Sequence, residues 1–196
     1  MDNTPISDAL ALRATASAFY AQRGKLPVPG DPHRSPDAVA VAVARQISEL
    51  GKLITDLGDE VLFRAAEQDQ APHTARVITN FAAAVEPAGE ATSALGAVAH
   101  QLAFLNQTES LRDQPDARDA REAAVRVMED ALAIADAALH DGANSLHSAS
   151  AAVSPPSVRI QAARSRATTA APAMGQLPPG VTTSVGSSSA RIARGR

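Results

Sequence analysis

The chain has 196 residues, no cysteine, no tryptophan and a formal net charge of −3, and its length suits one domain of ordinary size with extensions. The absence of cysteine excludes disulfides, thiolate zinc sites and cysteine nucleophiles. No apolar run approaches the roughly 18 residues that would span a membrane, and the acidic start at Asp2 lacks the basic region of a secretory signal. We therefore expect a cytoplasmic protein without a membrane span.

Alanine is unusually frequent, while aromatic residues make up only 3% of the chain. Alanine favours helix because it loses no side-chain entropy when the helix forms. It also buries little area, and each core position that holds alanine instead of leucine forgoes about 1–2 kcal/mol of burial. We expect a modestly stable helical domain that gains further buried surface by self-association.

The first predicted element is a short amphipathic helix within residues 1–24. Thr4 followed by Pro5 is a helix-start signal, because proline is well tolerated at the first helical position. This helix should run to about Arg23. Residues 25–35 contain three closely spaced prolines, which exclude helix and sheet and predict a stiff extended connector. The connector is a spacer or, alternatively, a proline-rich ligand for a partner groove.

Residues 36–153 carry three segments with apolar residues at alternating three- and four-residue steps, the pattern of helices that bury one seam. The second helix should run from Pro36 to about Gln68, the third should open at Pro72, and the fourth should run from residues 113–116 to about Val153. Short connections predict antiparallel neighbours. The seam positions that we expect to pack are Ile47, Leu50, Ile54, Leu57, Val61, Leu95, Val98, Leu102, Leu105, Val125, Met128, Leu132, Leu139 and Leu146.

Glycine and proline modify this pattern at three places. Gly51 and Gly58 recur one heptad apart beside the seam of the second helix, and we interpret them as places where a neighbouring backbone passes close by. The resulting wide stripe favours a multi-helix bundle over a two-stranded coiled coil. Pro87 falls in the middle of the third helix and predicts a kink or break near residues 83–86.

Beyond Val153 no periodicity survives, so residues 154–196 should form a disordered tail. The tail has six arginines and no acidic residue, whereas the rest of the chain has 12 basic and 21 acidic residues, a charge near −9. Because arginine pairs well with phosphate, a nucleic acid or another polyanion is one partner for the tail. The chain's own acidic body is another, and an unengaged tail is the third interpretation. The arginines concerned are Arg159, Arg164, Arg166, Arg191, Arg194 and Arg196.

We find no catalytic or cofactor-binding motif. A P-loop, a dinucleotide glycine fingerprint, H-E-x-x-H and G-x-S-x-G are all missing from the sequence. Asp136, His140 and His147 form the nearest approach to a site, because Asp136 and His140 are one helical turn apart. We expect these three residues to form an exposed polar face, and the alternative is a metal site completed by another helix.

The sequence therefore predicts an all-α protein: an elongated antiparallel, coiled-coil-like bundle of three long helices, with a short N-terminal helix and a disordered tail. We predict no enzyme activity, no cofactor and no metal. The expected function is that of a helical interaction or scaffolding protein that self-associates through its seams or binds a helical partner. A nucleic-acid-associated accessory protein that uses its tail is the first alternative, and a metal-binding bundle is the second.

Overall fold

The computed structural model describes residues 5–28, 36–66, 72–155 and 160. These residues contain four α-helices, of which α1 spans Pro5–Arg23, α2 Pro36–Ala65, α3 Thr74–Gln107 and α4 Pro115–Val153. A short 3-10 helix over Glu109–Leu111 connects α3 to α4. No β-strand occurs within the described residues, and the predicted all-α bundle is confirmed.

The helices alternate in direction around a common core. At the start of α1, buried Asp8 contacts Arg64 near the end of α2 and His73 just before α3. At the end of α1, the side chain of Gln46 on α2 donates a hydrogen bond to the backbone carbonyl of Gln22 at 2.8 Å. These contacts make α1 antiparallel to α2 and parallel to α3.

α4 runs antiparallel to both α1 and α3. Ser150, close to its end, donates a hydrogen bond to the carbonyl of Ala9 at 2.7 Å, and Asp136, in its middle, binds Arg23 at the end of α1. α1 packs mainly on α4, whereas α2 packs mainly on α3 and approaches α1 at few places. The N-terminal helix is therefore the fourth helix of the bundle and packs on its own chain.

The core consists of leucine, valine and alanine side chains together with Phe19 of α1 and Phe81 of α3, both fully buried. The predicted seams lie in or against this core. The seam residues that are buried are Leu50, Leu57, Leu95, Val98, Leu132, Leu139 and Leu146. Those that are half-buried are Ile47, Ile54, Val61, Leu102, Leu105 and Met128. Most of the seam surface is thus covered within a single protomer.

The sequence predicted a kink or a break at Pro87, and of these the break does not occur, because α3 continues through this residue. A proline removes only one backbone donor, and the Pro87 ring packs close to Gly142 of α4. Val125, a predicted seam residue, is 40% exposed. It lies on the side of α4 that packs on α1, but α1 already ends beside Asp136, so nothing from α1 reaches Val125.

The helix ends differ slightly from the prediction. α2 ends at Ala65 instead of Gln68, and α3 begins at Thr74 instead of Pro72. α4 ends at Val153 as expected. Apart from residues 154, 155 and 160, the predicted tail lies outside the described residues, as do residues 29–35 of the connector. Within the described ranges, no helix combines the length and hydropathy required to cross a membrane.

Candidate interaction surface

Asp136, His140 and His147 lie against α1 and are half-buried, with the Asp136 side chain 45% exposed, whereas the sequence suggested a polar face directed at solvent. Arg23 makes two hydrogen bonds to the Asp136 carboxylate, at 2.6 and 2.9 Å, and its Nη1 lies 3.3 Å from Nδ1 of His140. The ring of Tyr20 has its centroid 6.2 Å from that of His140 and 5.7 Å from that of His147. These residues therefore fasten the end of α1 to α4.

Charged pairs hold the end of α1 on both sides. The hydrogen bonds from Arg23 lower the pKa of the Asp136 carboxyl, and the same bonds raise the pKa of the Arg23 guanidinium. On the α2 side, Lys25 and Gln22 donate hydrogen bonds to Glu49, and the bond from Lys25 is the main cause of the lowered pKa of Glu49. Both carboxylates are thus stabilised in their charged forms by groups of α1 or of the turn that follows it.

A second polar cluster is buried where α1, α2 and α3 meet. Asp8 is fully buried, and its Oδ1 lies 3.2 Å from Nε of Arg64, whose side chain is 4% exposed. Arg64 also binds Glu60 one turn earlier, and its guanidinium lies 4.8 Å from the centroid of the Phe81 ring. Nε2 of His73 is 3.2 Å from Oδ2 of Asp8, although the two atoms are not aligned for a hydrogen bond. This cluster joins the ends of three helices.

No metal-binding arrangement is found among the described residues: no three histidine, aspartate or glutamate side chains come together in a way that would hold an ion. A shallow groove of about 420 Å³ lies between α3 and α4 beside Pro87. Its polar lining consists of Glu86, Glu90, Asp141 and Ser145, without a histidine that would act as a base. The six tail arginines lie outside the described residues, so the predicted polyanion contacts have no described position.

The glycines of α2 do not have the close neighbour that we expected. A Cβ atom added at Gly51 or Gly58 would meet nothing within 4 Å in the described part of the chain. Each glycine follows a buried leucine, Leu50 or Leu57, and is therefore turned about 100° away from the core. Glu49, on the other side of Leu50, contacts α1, so the glycines lie on the flank of α2 that faces away from α1.

α3 repeats this arrangement in mirror order. Gly89 follows buried Ala88, and Gly96 follows buried Leu95. No described atom lies within 4 Å of a Cβ added at either glycine. Pro87, on the other side of Ala88, packs toward α4, so both glycines lie on the flank of α3 that faces away from α4.

Both flanks border the outer groove between α2 and α3. We call this surface the open face. The two helices are antiparallel, so residues equally far from the turn between them lie at the same height along the helix axes. By this count Gly51 lies near the height of Gly89, and Ala44 lies near the height of Gly96. Its two rows of small residues are Ala44, Gly51, Gly58 and Ala65 on α2, and Ala75, Ala82, Gly89 and Gly96 on α3. Its half-buried floor is formed by Ile47, Ile54, Val61, Ile78, Val85 and Thr92.

The open face has a composition that folding of one protomer does not require. None of its residues is charged, although α2 and α3 carry several charged side chains on their other faces. A glycine in a helix interior costs about 1 kcal/mol relative to alanine, and this face carries four. No described residue packs into the space that these glycines leave. Within the described protomer the glycines therefore allow no closer packing than alanine would.

The sequence contained part of the signal for this surface. The heptad spacing of Gly51 and Gly58 indicates a special flank of α2, but no sequence prediction covered the matching row from Ala75 to Gly96 on α3. The sequence also could not show that the small rows avoid the core, because that depends on which flank α1 and α4 occupy. Comparison of the chain with protein-family models, with curated proteins and with solved structures finds no match.

Proposed function

We propose that this protein is a non-enzymatic helical scaffolding protein that self-associates. The observation that carries the proposal is the open face, an uncharged surface two helices wide that the described part of the protomer leaves uncovered. Surfaces of this kind on soluble proteins are typical of protein–protein contacts.

The surface through which we propose self-association differs from the one that the sequence suggested. The sequence suggested association through the heptad seams, but Leu50, Leu95 and Leu139 are fully or almost fully buried inside one protomer. Opening the bundle to expose them would cost its core packing. A surface outside the seams is therefore the better candidate, and it leaves the fold of each copy intact.

Light scattering during size-exclusion chromatography tests this function on the full chain. The expected result is a mass above 20.1 kDa that rises with protein concentration through the micromolar range. A constant mass equal to that of one chain at high micromolar concentration would contradict the proposal, since the proposed function requires several copies to associate.

The separation of charge along the chain supports a second candidate function, that of a nucleic-acid- or polyanion-associated accessory protein. Residues 154–196 contain six arginines and no acidic residue, whereas the rest of the chain has an excess of acidic residues. Arginine-bearing segments bind phosphates by an electrostatic term that depends strongly on salt. Self-association would then serve to present several tails to one polyanion.

A further inference from the structure

We infer that two copies of this protein pair through the open face, with α2 of each copy packed on α3 of the other. This inference rests on the proposed self-association and specifies its surface and geometry. Gly142 shows how the chain uses a helix glycine for contacts within the protomer, since an added Cβ there would lie 2.6 Å from the Phe19 ring. Gly51, Gly58, Gly89 and Gly96 have no such contact in the described residues, which points to a use between protomers.

The size of the open face matches the requirement of a stable dimer. Each small row spans 21 residue steps, roughly 32 Å at the helical rise of 1.5 Å per residue. Two helices packed side by side present a strip about 20 Å wide. The product is about 640 Å² per copy and roughly 1,300 Å² in total, within the range of specific protein–protein interfaces.

The charge distribution favours this face over the other surfaces of the bundle. Outside its tail the chain carries a formal charge near −9, so two copies repel each other wherever their acidic surfaces meet. The open face has no charged residue on either helix. Two identical copies can therefore meet there without bringing like charges together and without removing a charge from water.

Burial of this face would leave few polar groups unsatisfied. The hydroxyl groups of Ser48 and Thr55, at the edge of the α2 row, already donate to the carbonyls of Ala44 and Gly51. On α3, Thr79 donates to the carbonyl of Ala75 in the same way. Because each of these hydroxyl groups has its partner within its own helix, contact with a second copy does not remove its hydrogen bond.

A two-fold axis parallel to the helices lets the small-residue rows of α2 and α3 pack on the second copy at the same time. Rotation about that axis places α2 of one copy on α3 of the other, antiparallel and at the same level. Gly51 then meets the second copy's Gly89, and Ala44 meets its Gly96. The contact is isologous and closes after two copies, and the absence of side chains lets the two backbones approach closely.

Glycine-to-alanine substitutions test the inference by effects of opposite sign. In the separate protomer, Gly51→Ala and Gly89→Ala should raise the melting temperature at low concentration, because alanine is the better helix former and no described atom obstructs its methyl group. In the dimer, the methyl groups hold the backbones apart and should raise the dimer Kd by about tenfold or more. Sedimentation equilibrium measures the Kd, and a misfolded variant is recognised by a lowered melting temperature.

Cross-linking tests the geometry directly, since the natural chain has no cysteine. Chains carrying Gly51→Cys should form a disulfide with chains carrying Gly89→Cys when the two are mixed and oxidised at a protein concentration well above the dimer Kd, which the cysteine side chains also raise. The matched control is a mixture of Lys52→Cys and Glu90→Cys chains, each changed one residue further along, on the exposed side of its helix. These control chains should give little cross-linked product.

The outcomes separate this inference from the proposed function. A dimer that forms the disulfide between positions 51 and 89, and whose Kd rises on glycine-to-alanine substitution, supports both self-association and pairing through the open face. A dimer that shows neither effect overturns the pairing through the open face while self-association stands. A chain that remains a monomer overturns both. A dimer that dissociates when salt is raised from 50 to 500 mM also overturns the inference, because contacts of an uncharged face are not screened by salt.

Discussion

Gly142 shows how a single missing side chain positions a helix. The position lies on α4 where the Phe19 ring of α1 and the Pro87 ring of α3 converge. A Cβ atom there would lie 2.6 Å from Cε1 of Phe19 and 3.1 Å from Cγ of Pro87. Because Phe19 is fully buried, its ring has little freedom to move aside.

Gly142→Ala should therefore lower the free energy of unfolding by about 1–3 kcal/mol, the usual cost of overpacking a core. Urea denaturation measures this change. In a Phe19→Leu background the ring is gone, and the same substitution should cost much less. An equal cost in both backgrounds would contradict the assignment of the clash to Phe19.

Asp8 is the residue on which the buried ionic cluster depends. Its carboxylate is fully buried between Arg64, which is 4% exposed, and His73. A buried guanidinium that loses its partner keeps the cost of leaving water and loses the attraction that offset it.

Asp8→Ala should lower the free energy of unfolding by about 3 kcal/mol, because among the described residues it leaves Arg64 with only Glu60 as an ionic partner. The matched control is Glu122→Ala, which removes an exposed ion pair with Arg126 on α4 and should leave stability nearly unchanged. Chemical denaturation measures the free energy of unfolding of both variants. Similar small effects would show that the buried pair contributes little.

At the scale of elements, α1 is held by two kinds of contact. Leu12, Ala16 and Phe19 bury its apolar face completely, which supplies most of the binding to the bundle. Its C-terminal end is held by charged pairs to Asp136 and Glu49. The apolar contacts do not depend on pH, whereas the charged pairs do.

Acidification should loosen the end of α1 first. The pKa values of Asp136 and Glu49 are lowered in the folded state, so their contribution to stability is complete at neutral pH. It is lost as the pH falls below their ordinary values of 3.8 and 4.5 and through the lower folded values. The protection factors of residues 18–26, which are the exchange rates corrected for the intrinsic slowing of amide exchange in acid, should fall over this range before those of α3 do.

The control for this prediction is the double variant Asp136→Asn, Glu49→Gln. The protection factors at the end of its α1 should already be lower at pH 7, and their further fall between pH 5 and 3 should be reduced. A double variant with the same pH dependence as the natural chain would contradict the assignment to these two carboxyl groups.

α2, like α3, has two apolar flanks. One carries Leu50 and Leu57 into the core, and the other carries Gly51 and Gly58 on the open face. A helix that serves a single core needs only one such flank. The second flank is the feature at this scale that the fold of one chain does not explain.

At the scale of the whole molecule, the charge distribution divides the chain. The helical part carries an excess of acidic residues, and residues 154–196 carry six arginines and no acidic residue. This separation is the basis of the second proposed function.

If that function is correct, the full chain should be retained on a heparin or DNA column at low salt. Should all six arginines contact phosphates, affinity should fall about a thousandfold between 50 and 200 mM salt. A variant with the six arginines changed to glutamine should elute without retention. Equal retention of the two chains would refute a role of the tail in polyanion binding.

The sequence by itself determined the helical elements. Heptad spacing, proline at the start of α1 and α2, and the loss of periodicity after Val153 located four helices to within a few residues, because these signals depend on local backbone chemistry. The absence of recognisable catalytic motifs was equally visible. Leu50, Leu95 and Leu139 were correctly placed in the core, since a seam position is set by periodicity within one helix.

Tertiary structure alone decided which flank of each helix is covered. His140 was expected on an exposed face and lies against α1, whereas Gly51 was expected beneath a neighbouring backbone and is uncovered by any residue that the structure describes. Val125 occupies a seam position, yet it is exposed because α1 is too short to reach it. Periodicity states that a helix has an apolar stripe, but the lengths and positions of its neighbours determine how much of that stripe is buried.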